Sequence, residues 1–223
     1  MDIQVEKAIK ASLEKYSEVS KSSVQDFTKR VIDVFNLEAP FMEKVSLMDE
    51  AFDDEPKLDF LREVFFDLMM INFFAEDVKK LEEDYLDSKE WEDIEEETID
   101  RGTELLNVLL YIRECHDEEI EPELEDFLKE FLLVEEDEFQ DEHRIYEDVI
   151  ANQILMESSI EDIAKASNEL PEHSDLKDLF YPIMSFFYQP EPDQEEMSIY
   201  TKNSVDPEFD APVYALLASF NQL

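Results

Sequence analysis

The chain has 223 residues, with 61 Asp or Glu against 19 Lys or Arg, 43% hydrophobic residues, one glycine and a formal net charge of −42. So much apolar surface argues against a disordered chain, scarce glycine against hairpin-rich sheets and phosphate-cradling loops, and the charge against direct nucleic-acid binding. The charge is uneven: residues 1–48 hold eight acids and seven bases, so nearly all of the excess falls on residues 49–223.

In chain order, Val5, Ile9, Leu13 and Tyr16 form one helical stripe and predict a first helix over roughly residues 2–20. Ser23, with Asp26 three residues on, reads as the N-cap of a second helix striped by Phe27, Val31 and Val34. Asn36 and Pro40 interrupt before a third helix, "FMEKVSLMDEAF", which stops at Pro56. Leu58, Leu61, Phe65, Leu68, Ile71, Ala75, Val78, Leu81 and Tyr85 then predict one long helix from Lys57 to Leu86. After "DSKE", Ile94, Thr98, Leu105, Leu109 and Ile112 predict a second, from Trp91 to Cys115. A short connection predicts antiparallel neighbours, with a turn near Lys89–Glu90. The all-round apolar segments Leu68–Phe74 and Leu105–Ile112 would then face each other in a buried base. The charged segments 76–88 and 90–104 would pair as a projecting acidic arm, with Gly102 where arm meets core.

Pro122 reads as the first position of the next helix, and the sequence from Glu136 to Met156 continues helically. Ser159 with Asp162 marks another start; Pro182 predicts a kink or a boundary. The expected architecture is all-α, a multi-helix bundle of eight or nine helices built around the long central antiparallel hairpin. Residues 1–188 form the helical domain, 189–211 an acidic, proline-rich loop or linker, and 212–223 a short docking helix. The start, "MDIQVEKAIK", has no apolar signal core, and no run of about 18 apolar residues occurs, so a soluble, cytoplasmic protein is expected. Cys115 is alone and allows no internal disulfide.

Candidate chemistry is sparse. No His stands three residues after a Glu, as a helical di-iron site requires, and no Gly-rich phosphate loop, GxSxG or HExxH motif occurs. "KLEEDYLD" and "ELLNVLLYI" resemble the two halves of the metal site in magnesium-dependent all-α nucleotide pyrophosphohydrolases of the MazG-like kind. That resemblance implies Mg held by Glu82 and Glu83, with Glu97 and Asp100 as a further ExxD pair; Leu86 and Asn107 stand where two more carboxylates belong. Acids fill 61 of 223 positions, so carboxylate templates of this size recur by chance.

The acid runs themselves are the stronger signal. Residues 76–104 carry fourteen acids against four bases, and residues 114–148 seventeen against two. Helix N-termini favour a few acids, but consecutive ones repel and suggest an offsetting use. The expected function is a non-enzymatic interaction module that engages a basic protein or a basic nucleic-acid-binding groove, without cofactor. Its sharpest form is a nucleic-acid-mimicking inhibitor. The expected partner-binding residues are Glu92, Asp93, Glu95, Glu96, Glu97, Asp100, Glu118, Glu119, Glu135, Glu136 and Asp137. Membrane and direct nucleic-acid contacts are not expected, and near-neutral residues 1–48 suggest self-association. The alternatives are a Mg-dependent hydrolase-like protein and a cytosolic helical domain whose acidity serves only solubility.

Overall fold

The computed structural model describes residues 1–76, 80, 83–135, 138–139 and 145–222. Helices dominate these residues, and the centre of the fold is a pair distant in sequence. Helix α1 (Ile3–Ser20) packs along α13 (Pro207–Asn221), with Val5, Ala8, Ile9, Ser12 and Leu13 buried against a helix rich in alanine. Small side chains allow close approach of the two backbones. His116 fixes their sense: Gln4 Nε2 donates to its Nδ1 (2.9 Å), and its Nε2 donates to the Asn221 carbonyl (2.8 Å). The start of α1 thus meets the end of α13, and the pair is antiparallel.

Around this pair lie α2 (Gln25–Phe35), α3 (Phe41–Asp53), α4 (Arg62–Glu76), α7 (Leu105–Glu118) and α11 (Lys177–Tyr188). The remaining helices are α5 (Glu83–Leu86), α6 (Lys89–Thr98), α8 (Leu124–Leu132), α9 (Glu147–Ala151), α10 (Ile160–Glu169) and α12 (Gln194–Asn203). Strands β1 (Leu133–Glu135) and β2 (Glu138–Phe139) pair antiparallel, with Leu133 opposite Phe139. Among the described residues thirteen α-helices replace the expected eight or nine, because each long predicted helix is cut and predicted loops fold. Among the described residues no helix is long and apolar enough to cross a membrane.

Local chemistry explains several boundaries. The Asp2 side chain accepts from the backbone of Gln4 and Val5 and caps α1; Ser159 caps α10 through the Asp162 N–H. The expected cap at Ser23 does not form, since Val24 holds the N-cap position of α2 without a side-chain bond. Pro122 precedes α8 rather than entering it, and β1, β2 and a 3-10 turn at Gln153–Glu157 replace part of the continuous helix expected there. Pro182 interrupts nothing; α11 runs through it. The expected linker 189–211 carries α12, started by a reciprocal capping box between Asp193 and Glu196, and the expected docking helix begins earlier, at Pro207.

The predicted central hairpin is rearranged. The 57–86 helix resolves into a 3-10 turn at Pro56–Leu61, α4 and α5. Helix α4 ends on an acid, Glu76, with no base in its last turn, the wrong charge for a helix C-terminus. Val78 and Leu81 of its stripe lie outside the described residues. The chain then returns: Trp91 in α6 meets Phe74 with ring centroids 5.4 Å apart, and Arg101 and Gly102 reach Glu63 at the other end of α4. Helix α7 starts beside Asp67 and ends at His116, near Asn72 of α4, because both contact the start of α1. So α7 runs beside α4 in the same direction, and the antiparallel return is α6. Nor does α6 project free, for Ile94 is buried and Trp91 half-buried.

Candidate interaction site

Helix α6 begins at Ser88, whose Oγ accepts from the Trp91 N–H at 3.2 Å, and sets Trp91, Ile94 and Thr98 toward the body. The other faces carry Glu90, Glu92, Asp93, Glu95, Glu96 and Glu97, all exposed, with Asp100 exposed just beyond. Among the described residues only Asp93 of these seven forms an ion pair, with Lys89 at 3.2 Å. Six of the expected partner-binding residues therefore share one surface. Glu118 and Glu119 are exposed but lie at the far end of α7, about 20 Å of helix away from Gly102. Glu135 lies in β1, and Glu136 and Asp137 fall outside the described residues.

The segment 99–104 ties this acidic helix to the body. Arg101 makes paired bonds to Asp49 (3.0 Å each) and binds both Glu63 oxygens (3.0 Å) while its guanidinium covers the Phe66 ring at 4.8 Å. Burial works against its charge, but the bonds to Asp49 and Glu63 outweigh this and hold its pKa above the ordinary value. Next, the Gly102 N–H donates to Glu63 (2.7 Å), and Thr103 donates to buried Asp67 through its N–H (2.9 Å) and its hydroxyl (2.5 Å). Gly102 has φ of +85°, and a Cβ there would lie 2.7 Å from the Asp67 carboxylate. The one glycine of the chain is placed where only glycine fits.

Asp67 itself is a charge problem. Burial pushes its pKa well above the carboxylate range, against the bonds from Thr103, and nearby Glu63 and Glu104 add to the rise. Glu104 accepts from the Tyr146 hydroxyl (2.5 Å) and from Asn107 (2.9 Å), so the Asn107 amide is occupied by structural bonds.

Beside Glu104 the surface opens into a cleft of about 480 Å³ lined also by Asp175, Asp178, Phe60 and Phe209. Behind its neighbouring wall, Tyr181 stacks on Tyr200 at 4.3 Å, and the hydroxyls of Tyr181, Tyr200 and Tyr214 donate to the carbonyls of Tyr200, Asp210 and Gln189. Burial raises all three phenol pKa values and keeps these groups neutral donors. Asp210 is pushed up to about 7 by burial, although Ser204 donates to it. The sequence reading missed this cleft. Phe60 carried a signal, being a large apolar residue off the Leu58–Leu61–Phe65 stripe; Phe209 was hidden inside the supposed linker.

No family model, curated protein or solved structure matches the chain. For the pyrophosphohydrolase resemblance, Glu82 lies outside the described residues, and Glu97 and Asp100 are exposed on and after α6. Among the described residues, no three His, Cys, Asp or Glu side chains gather as a metal would need.

Proposed function

We propose that the chain is a non-enzymatic interaction module that engages a basic protein partner through α6, in the manner of a nucleic-acid mimic. The observation that carries this reading is the charge on α6 with its lack of internal use: six exposed carboxylates on ten residues, one of them paired. Over about 15 Å of helix that is one anionic group per ~2.5 Å. Duplex DNA presents one per ~1.7 Å and a single strand one per ~3.4 Å, so α6 falls between them. A groove evolved to hold phosphates would be attracted and steered by such a surface. The Arg101–Thr103 tether keeps the acids on a fixed helix instead of a loose tail, which lowers the ordering cost of binding. The exposed side of residues 1–48, close to neutral, is where we propose that copies self-associate, which sedimentation against concentration tests.

The test is a pull-down from source lysate at low and high salt, with Glu92→Gln/Glu95→Gln/Glu96→Gln as the control. The expected outcome is a basic nucleic-acid-binding protein recovered by the native chain at low salt only, lost with the variant, and displaced from its DNA by the native chain. Equal recovery by both chains, or no such protein, overturns the reading.

A further inference from the structure

Two clefts meet at Phe60. The first, described above, adjoins a second of about 600 Å³ that passes Val205 and Asp206; Phe60, Asp178 and Phe209 line both. Apart from Asp178 the shared lining is apolar, and we call its two rings the floor. Phe60 and Phe209 meet edge to face at 6.3 Å, and Phe60 remains 42% exposed and Val205 74% exposed. The rim is anionic: Asp175, Asp178 and Asp206 are exposed and, among the described residues, form no ion pair. Lys177, the one base lining the pair of clefts, is taken up by Glu172. The floor and rim thus ask for different things from one occupant, an apolar side chain and two or three cations.

We infer that this double cleft docks a short segment of a protein partner in which one or two large apolar side chains are flanked by Lys or Arg. The inference rests on the proposed basic partner and names where and how that partner is read. Nucleic acid is repelled by the rim, and a purely polar cation would leave the Phe60 and Phe209 faces wet. A neutral apolar peptide would cover the floor and strand the rim charges beside a less polar surface. Only a segment with both features uses the whole surface. The cleft also starts at Gly102 and Glu104, where the chain returning from α6 joins the body, so one partner can span the α6 charge and the cleft. In that arrangement α6 attracts by charge, and the cleft discriminates by shape and apolar contact.

Fluorescence anisotropy on the full chain tests this with a labelled peptide Lys-Arg-Lys-Leu-Phe-Lys-Arg-Lys and a twin carrying Ser-Ser at the centre. The two have the same charge. The native chain is expected to bind the Leu-Phe peptide roughly tenfold more tightly than its twin, the effect of burying one apolar side chain. Phe60→Ser combined with Val205→Ser and Asp206→Asn, all exposed positions, should remove that preference while the helical circular dichroism is retained. Equal binding of the two peptides by the native chain, or a preference that survives in the triple variant, overturns the cleft. Spermine displacing the Leu-Phe peptide at matched concentration also overturns it, in favour of a small-polycation site. The α6 reading fails separately: Glu92→Gln/Glu95→Gln/Glu96→Gln would then leave the Ser-Ser peptide's affinity unchanged, whatever the preference shows.

Discussion

Gly102 concentrates two demands in one residue. Its φ of +85° is unfavourable for any residue with a side chain, and a Cβ would meet Asp67 Oδ1 at 2.7 Å. Asp67 cannot swing aside cheaply, because Thr103 holds both of its oxygens. Gly102→Ala is therefore expected to cost about 2–3 kcal/mol, the sum of backbone strain and the displaced carboxylate. Urea unfolding measures it, and a loss below about 0.5 kcal/mol, the usual size at unconstrained sites, would show that the contact is not tight. Arg101 acts at the same place by charge. It neutralises Asp49 and Glu63 where α3, α4 and the returning chain converge, and it makes no ion pair with the α6 acids. The division is informative: Arg101, the base that follows the acidic helix, is spent on holding it, and the outer faces of α6 stay anionic.

At the level of elements, two helices end on residues that are strained in the same way. Lys21 after α1 and Glu119 after α7 take left-handed conformations, with φ of 56° and 58°. Glycine is the usual occupant of such a C-cap, so Lys21→Gly and Glu119→Gly should each stabilise the fold by about 0.5–1 kcal/mol, read as a rise in the urea midpoint. A destabilisation by either change would mean that the side chain earns its strained backbone through a contact. These ends also show what a sequence can carry. The stripe Val5–Ile9–Leu13–Tyr16, the Ser159 cap and the pair Ile94–Thr98 were legible because each depends on residues three or four apart. The break at 99–104 was not, because its cause is Arg101 meeting Asp49 and Thr103 meeting Asp67, contacts across dozens of residues. The linker reading of 189–211 gave weight to its prolines and acids and passed over Asp193 and Glu196, a local capping signal that was there to be read. At the candidate site, the α6 acids were picked out by density alone. The cleft was invisible because Phe60, Asp178 and Phe209 are brought together only by tertiary packing.

For the whole molecule, two kinds of anionic stress act together and can be separated. The first is mutual repulsion of exposed carboxylates in a chain of net charge −42. It falls with added salt, whose screening length is about 3 Å at 1 M. The second is the burial of Asp67 and Asp210, which salt does not reach. Both have folded-state pKa values raised above the unfolded range, Asp210 to about 7. Such groups contribute stability that is fully present below the unfolded pKa and is lost as pH rises through the folded one. Between those limits the folded state holds the proton and the unfolded state does not, so each group lowers stability by about 1.4 kcal/mol per pH unit as pH rises. The native chain should therefore be more stable at pH 5.5 than at pH 8, and in high salt a pH slope should remain. Asp67→Asn/Asp210→Asn keeps an acceptor for the Thr103 N–H and for Ser204, lets the introduced amide donate to the Thr103 hydroxyl, and removes both charges, so it should flatten that residual slope and raise stability at pH 8. Urea unfolding at the two pH values, with and without salt, tests the separation. A slope in high salt that is the same in the double variant would place the pH dependence on the surface acids alone, and the buried pair would then have no part in it.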